Sequence, residues 1–91
     1  MNKQVLLKIR GQVQGVFFRV NAQEQAEKLG LTGWVRNTES EIVEILAEGE
    51  EEKLKQFIKW CYNGSELAEV SKIELKWKKA EDRFKQFKIN Y

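Results

Sequence analysis

The chain has 91 residues, of which 42% are hydrophobic and 33% are charged, and its net charge is +2. A chain of this length folds around one core, so we expect a single domain over residues 1–91. Because the two signs of charge are mixed and nearly balanced, no strong net charge commits the whole chain to binding nucleic acid or an anionic membrane.

Two features of the composition narrow the possible chemistry further. The sequence has no histidine, which excludes histidine-based general base catalysis and histidine-ligated metals. Its single cysteine, Cys61, excludes an intrachain disulfide and a cysteine-cluster metal site, and is typical of a reducing cytoplasmic compartment. No signal peptide or membrane span is predicted, because the first apolar residues alternate with lysine and arginine.

Apolar residues recur with strand and helix periods in a definite order. Alternation predicts a strand over residues 5–10, and the spacing of alanine and leucine predicts a helix over 20–29 that ends at Gly30. Two apolar runs, 32–36 and 42–48, flank a polar segment and predict a hairpin.

A second helix is predicted over 50–62, where apolar residues repeat at helical spacing. These are Leu54, Phe57, Ile58 and Cys61. Alternation then predicts a strand over 70–77 and a short final strand over 87–91. The order βαββαβ predicts an α+β fold of the ferredoxin-like, split βαβ type, with one antiparallel sheet, both helices on one face and a short extra C-terminal strand.

Aromatic residues in the last third of the chain allow two interpretations. Residues 72–88 carry seven basic and three acidic side chains, interleaved with aromatic residues, as on an RNA-binding sheet of the RRM type. The aromatic octapeptide of that class is missing, and alternating aromatics such as Trp77, Phe87 and Tyr91 are more typical of a core. We also expect Trp34 and Trp60 to pack in or near the core, and we expect no nucleic-acid partner.

The loop between the first strand and the first helix could bind an anion. Glycines at 11 and 15 permit tight turns, and the free amides at a helix N-terminus attract negative charge. Arg19 would stand at the end of this loop, where its planar guanidinium matches a phosphate. The residues by themselves leave open an ordinary turn with Arg19 as a solvated side chain.

Asn37 ends the second predicted strand. Its amide can donate and accept hydrogen bonds, so it could hold a water molecule in a fixed direction. It could equally start the hairpin turn, which is a common position for asparagine.

Together, the two segments resemble the acylphosphatase family. The resemblance is carried by residues 11–19, GQVQGVFFR, and residues 30–37, GLTGWVRN, and it extends over essentially the whole chain. It implies hydrolysis of the carboxyl–phosphate anhydride of an acyl phosphate, which yields a carboxylate and inorganic phosphate. No metal and no cofactor are implied.

The resemblance also implies roles for particular residues. Arg19 and the backbone loop would hold the phosphate, and Asn37 would orient the attacking water. The loop consists of Gln14, Gly15, Val16, Phe17, Phe18 and Arg19. The predicted protein is a monomeric, cytoplasmic, metal-independent hydrolase of a small molecule; the alternative is a non-catalytic phosphate-binding or acyl-phosphate-binding module on the same fold.

This chain departs from the family pattern at a few positions. Relatives often carry serine or threonine where this chain has Ala22, Asp-Gly where it has Ser40-Glu41, and Gly-Pro where it has Gly64-Ser65. The first difference concerns support of the loop, and the other two concern turns. None of them removes a residue to which the resemblance gives a catalytic role.

Overall fold

The computed structural model describes residues 2–38 and 41–90. The strands are β1 (Asn2–Gln12), β2 (Thr32–Asn37), β3 (Ile42–Glu50), β4 (Glu69–Lys79) and β5 (Phe87–Asn90), and the helices are α1 (Phe18–Lys28) and α2 (Glu51–Asn63). The strands form one sheet in the order β4-β1-β3-β2-β5. Neither helix is long and apolar enough to cross a bilayer.

The sheet is antiparallel apart from its last strand. β1 pairs antiparallel with β3 and β4, and β2 pairs antiparallel with β3, whereas β5 pairs parallel with β2. The predicted ferredoxin-like fold and the extra C-terminal strand are confirmed.

Both helices cover the same face of the sheet. Val5, Leu7 and Ile9 alternate along β1 and are fully buried, as the period of two predicts. They belong to one core cluster with residues of α1 and α2. The helical members of that cluster are Phe18, Ala22, Ala26, Leu54, Phe57, Ile58 and Cys61.

Glycines end both helices, as predicted for Gly30. After α1, Gly30 has a φ of 71° and the Leu31 amide donates to the Ala26 carbonyl at 2.9 Å. After α2, Gly64 has a φ of 69° and its amide donates to the Trp60 carbonyl at 2.8 Å. Both residues adopt the left-handed φ that glycine tolerates best.

The hairpin between β2 and β3 also forms. Glu41 precedes β3 with a left-handed φ of 66°, and the Thr38 amide donates to the Ile42 carbonyl at 3.2 Å. Ser40, at which the chain departs from the family pattern, lies outside the described residues.

The prediction that Trp77 packs in the core is wrong. Trp77 pairs with Val5 and therefore lies on the helix-covered side of the sheet, but its side chain is 39% exposed. Leu75 on the same strand is 41% exposed. The reason is that β4 is an edge strand, so these side chains lie beyond the cover of the helices.

The other aromatic predictions have mixed outcomes. Phe87 is buried, and Trp60 packs against the core with its ring 5.5 Å from that of Phe18. Trp34 instead pairs with Leu46 on the face of the sheet away from the helices, where the Arg36 guanidinium lies 4.8 Å from its ring. Its expected core position is therefore wrong, and Tyr91 lies outside the described residues.

Candidate active site

The loop from β1 to α1 contains two residues with left-handed backbone. Gly15 has a φ of 72° and Phe17 a φ of 62°. This conformation costs glycine little but is unfavourable for phenylalanine. The chain therefore curls tightly just before α1, and successive amides of such a curl can converge on an anion.

The amide groups that lead into α1, from Gly15 to Phe18, are available to a ligand. Phe17 occupies the N-cap position without a side-chain hydrogen bond, and the first turn has no acidic residue. Among the hydrogen bonds of the described residues, none has the Gly15, Val16, Phe17 or Phe18 amide as its donor. The dipole of the 11-residue helix adds partial positive charge at the same point. The local chemistry favours an anion here.

Phe18 anchors this end of the loop to the core. Its side chain is 1% exposed and packs against the Trp60 ring of α2. Gly64 lies against the Phe18 ring, since a Cβ atom at Gly64 would come within 2.8 Å of Phe18 Cε2. Arg19 follows in the first turn of α1 and is half-buried.

The structure brings the two predicted motifs to the same end of the sheet. The Ile42 carbonyl accepts a hydrogen bond from Gln14 Nε2 at 2.7 Å and another from the Thr38 amide at 3.2 Å. The loop and the end of β2 therefore meet at one residue of β3. Asn37 pairs with Val43 and follows Val35 by two, so its side chain lies on the helix-covered face.

Asn37 carries an unusual atom. Its Oδ1 is buried and accepts no hydrogen bond from any residue that the structure describes. Leaving such an acceptor unpaired costs about 1–3 kcal/mol. Buried polar groups in native proteins are nearly always paired with protein, water or ligand. Asn37 therefore has hydrogen-bonding capacity that no described residue uses.

The sequence profile of the acylphosphatase family matches residues 5–89. The chain belongs to the acylphosphatase family. An acylphosphatase of Bacillus licheniformis is 47% identical over 83 residues, which cover 91% of this chain and 92% of that protein. An acylphosphatase of Pelotomaculum thermopropionicum is 40% identical over 83 residues, with 91% and 90% covered.

A solved structure agrees with this membership. The crystal structure of acylphosphatase from Bacillus subtilis matches this chain with a TM-score of 0.94 at 38% identity, and 98% of this chain and 99% of that chain are covered. The family resemblance that was predicted from residues 11–19 and 30–37 is thus confirmed. The roles that it implies for single residues stay predictions.

In this member of the acylphosphatase family, Cys61 belongs to the hydrophobic core. The side chain is fully buried in the stripe of α2 that faces the sheet, as predicted. Burial raises the pKa of the Cys61 thiol, because the interior disfavours the thiolate. Among residues 2–38 and 41–90, no three His, Cys, Asp or Glu side chains are grouped as metal ligands.

Sequence reasoning missed one residue that contacts the loop. Ser65 follows α2, is 6% exposed, and donates a hydrogen bond from Oγ to the Val16 carbonyl at 2.7 Å. Its position after Gly64 identified it only as part of a turn. No local pattern could have shown this contact, because the two residues are 49 positions apart.

Proposed function

We propose that Arg19, Asn37 and the amides of the 14–19 loop carry the activity of this acylphosphatase-family member. The reaction is the hydrolysis of an acyl phosphate, in which water attacks phosphorus and the carboxyl–phosphate P–O bond breaks. The products are a carboxylate and inorganic phosphate. The loop amides and the Arg19 guanidinium hold the phosphate oxygens, and Asn37 orients the attacking water.

The composition of the chain suits this reaction. A carboxylate is a good leaving group, so the reaction needs no strong general acid. Catalysis of phosphoryl transfer then depends on positioning and on stabilising the charge of the equatorial oxygens. Backbone amides, arginine and asparagine supply both, and the substrate's own phosphate oxygens can accept the proton of the attacking water.

The observation that carries the proposal is the buried, unpaired Oδ1 of Asn37 at the end of the sheet where the loop lies. A water molecule that donates a hydrogen bond to this oxygen has its lone pairs free to attack. The left-handed loop and the uncapped N-terminus of α1 support the neighbouring position for the phosphate.

The test is hydrolysis of benzoyl phosphate in the presence of EDTA. We expect activity in the parent chain, a loss of roughly 10²–10³-fold in Asn37→Ala, and a greater loss in Arg19→Gln, which removes both binding and charge stabilisation. Arg83→Gln and Asn90→Ala are matched controls, because they make the same kinds of change at exposed residues outside the loop.

Two results would contradict the proposal. A folded parent chain that binds inorganic phosphate but releases no product would establish the non-catalytic binding module instead. Full activity in folded Asn37→Ala would remove the proposed role of Asn37.

The monomeric state, the cytoplasmic location and the lack of a nucleic-acid partner stay predictions. The composition supports them, with one buried cysteine and a net charge of +2. Size-exclusion chromatography tests the first. An RNA-binding chain would show an affinity that falls steeply with salt.

A further inference from the structure

We propose that Ser65 is a positioning residue for the phosphate loop. Its hydroxyl orients the peptide group that joins Val16 to Phe17, and through it the Phe17 amide. The inference rests on the proposed function, in which the amides of the 14–19 loop hold the phosphate.

The hydrogen bond of Ser65 is short and sheltered from water. The side chain is 6% exposed, and its Oγ lies 2.7 Å from the Val16 carbonyl oxygen. A carbonyl oxygen can only accept, so the hydroxyl is the donor. The loop of the proposed site is thereby joined to the segment that follows α2.

The geometry of the peptide bond transmits this contact to the loop amide. The Val16 carbonyl and the Phe17 N–H belong to one planar trans peptide group and point in opposite directions. A donor that holds the carbonyl on one side therefore holds the N–H on the other. Among the hydrogen bonds of the described residues, none has this N–H as its donor, so it is available to a phosphate oxygen.

This peptide group needs an external restraint. Phe17 has a φ of 62°, a left-handed conformation that costs a non-glycine residue about 1–2 kcal/mol. The Phe17 carbonyl is held by α1 itself, since Asn21 donates to it from the backbone at 3.1 Å and from Nδ2 at 3.0 Å. Ser65 holds the preceding carbonyl, so both sides of Phe17 are restrained.

The Ser65 end of the bond is itself fixed. The Ser65 carbonyl accepts from the Ala68 amide at 2.9 Å, which closes a turn. The preceding Gly64 is bonded to the end of α2 and packs against the Phe18 ring. The hydroxyl thus stands on a hydrogen-bonded turn that packs against Phe18.

The experiment compares three substitutions at Ser65 by calorimetric binding of inorganic phosphate and by benzoyl phosphate kinetics. Ser65→Ala removes the donor, Ser65→Cys replaces the hydroxyl with a larger and weakly donating thiol, and Ser65→Thr keeps the hydroxyl. We expect alanine and cysteine to weaken phosphate affinity and kcat/KM about five- to tenfold, and threonine to stay within about twofold of the parent.

Ser71→Ala is the matched control. Ser71 also donates from Oγ to a backbone carbonyl, that of Arg10 at 3.1 Å, but it is exposed and lies on β4. This variant should leave phosphate affinity unchanged. A two-dimensional NMR spectrum should show the Phe17 amide shifted in Ser65→Ala and unshifted in Ser71→Ala, a readout that a general loss of stability would not move.

The outcomes separate this inference from the proposed function. Folded Ser65→Ala and Ser65→Cys variants that bind phosphate like an active parent would overturn the inference alone, as would a folded Ser65→Thr variant that is as weak as the alanine variant. A parent that binds phosphate without turnover, and loses affinity in Ser65→Ala and Ser65→Cys, would support the inference while refuting catalysis. A parent that neither binds nor hydrolyses would overturn both.

Discussion

Phe17 shows how one residue carries local strain at the candidate site. It is a bulky residue with a φ of 62°, and its side chain is 71% exposed. An exposed ring gains little from burial, so the ring does not offset the strain of the backbone. Strained backbone persists where the surrounding structure determines it, and such residues concentrate at functional sites. Here the restraints come from Asn21 and Ser65.

Replacing Phe17 with glycine should stabilise the chain. Glycine adopts a left-handed φ without the Cβ clash, so we expect Phe17→Gly to raise the free energy of unfolding by about 1 kcal/mol. Urea denaturation measures the change. Phe17→Ala is the control, because it removes the ring and keeps the Cβ; a stabilisation of equal size in both variants would show that the ring, not the backbone, is unfavourable.

At the scale of an element, α2 is an amphipathic helix whose apolar face was predicted from the spacing of its apolar residues. Its buried residues are Leu54, Phe57, Ile58 and Cys61. Glu51 in the first turn interacts favourably with the helix dipole, and the Lys3 and Lys55 ammonium groups hold the pKa of its carboxyl below the ordinary value. Cys61 lies near the other end of the helix, where burial raises its pKa.

The raised pKa of Cys61 predicts a loss of stability at alkaline pH. Below about pH 8.5 the thiol is protonated in both states and contributes no pH dependence. Above it the unfolded thiol loses its proton while the folded one keeps it, so the free energy of unfolding falls by up to about 1.4 kcal/mol per pH unit.

Urea unfolding of the parent and Cys61→Ala between about pH 8 and pH 10 isolates this effect, because the other titrating groups are common to both chains. The stability advantage of the parent should shrink as the pH rises. Parallel curves would mean that the Cys61 thiolate is tolerated in the folded state.

At the scale of the whole molecule, a buried carboxylate on the face of the sheet away from the helices binds a segment that crosses the sheet. Glu48 is 3% exposed and accepts from Gln4 Nε2 at 2.7 Å, from the Glu81 amide at 2.7 Å and from the Asp82 amide at 3.1 Å. The segment 80–86 connects β4, at one edge of the sheet, to β5 at the other edge. The Glu48 carboxylate therefore binds this crossing segment near its start.

Glu48→Ala should therefore destabilise the whole fold and loosen β5. We expect a loss of about 2–3 kcal/mol, because amide donors are left without an acceptor, and faster hydrogen exchange in β5. Glu44→Ala is the control: Glu44 is also buried but pairs with the half-exposed Arg36, so its loss should stay below about 1 kcal/mol. Equal losses, or unchanged exchange in β5, would contradict a specific role for Glu48.

The sequence alone determined the order of elements and the buried faces of β1 and α2. Alternation in β1 and the stripe of α2 report burial directly, because a strand repeats every two residues and a helix every 3.6. The glycines that end the helices and the two family motifs are likewise formed by residues that are neighbours in the sequence. Arg19 and Asn37 were candidates from these motifs, and their roles await the assays above.

Tertiary structure decided everything that depends on which elements become neighbours. Trp77 alternates like a core residue, yet it is exposed because β4 forms an edge. Glu48 pairs with Gln4 on the face away from the helices, and it is buried because a distant segment crosses over it. Ser65 reaches Val16 only after α2 packs beside the loop. Periodicity reports how each element meets its surroundings, whereas contacts between distant residues depend on how the packed elements share space.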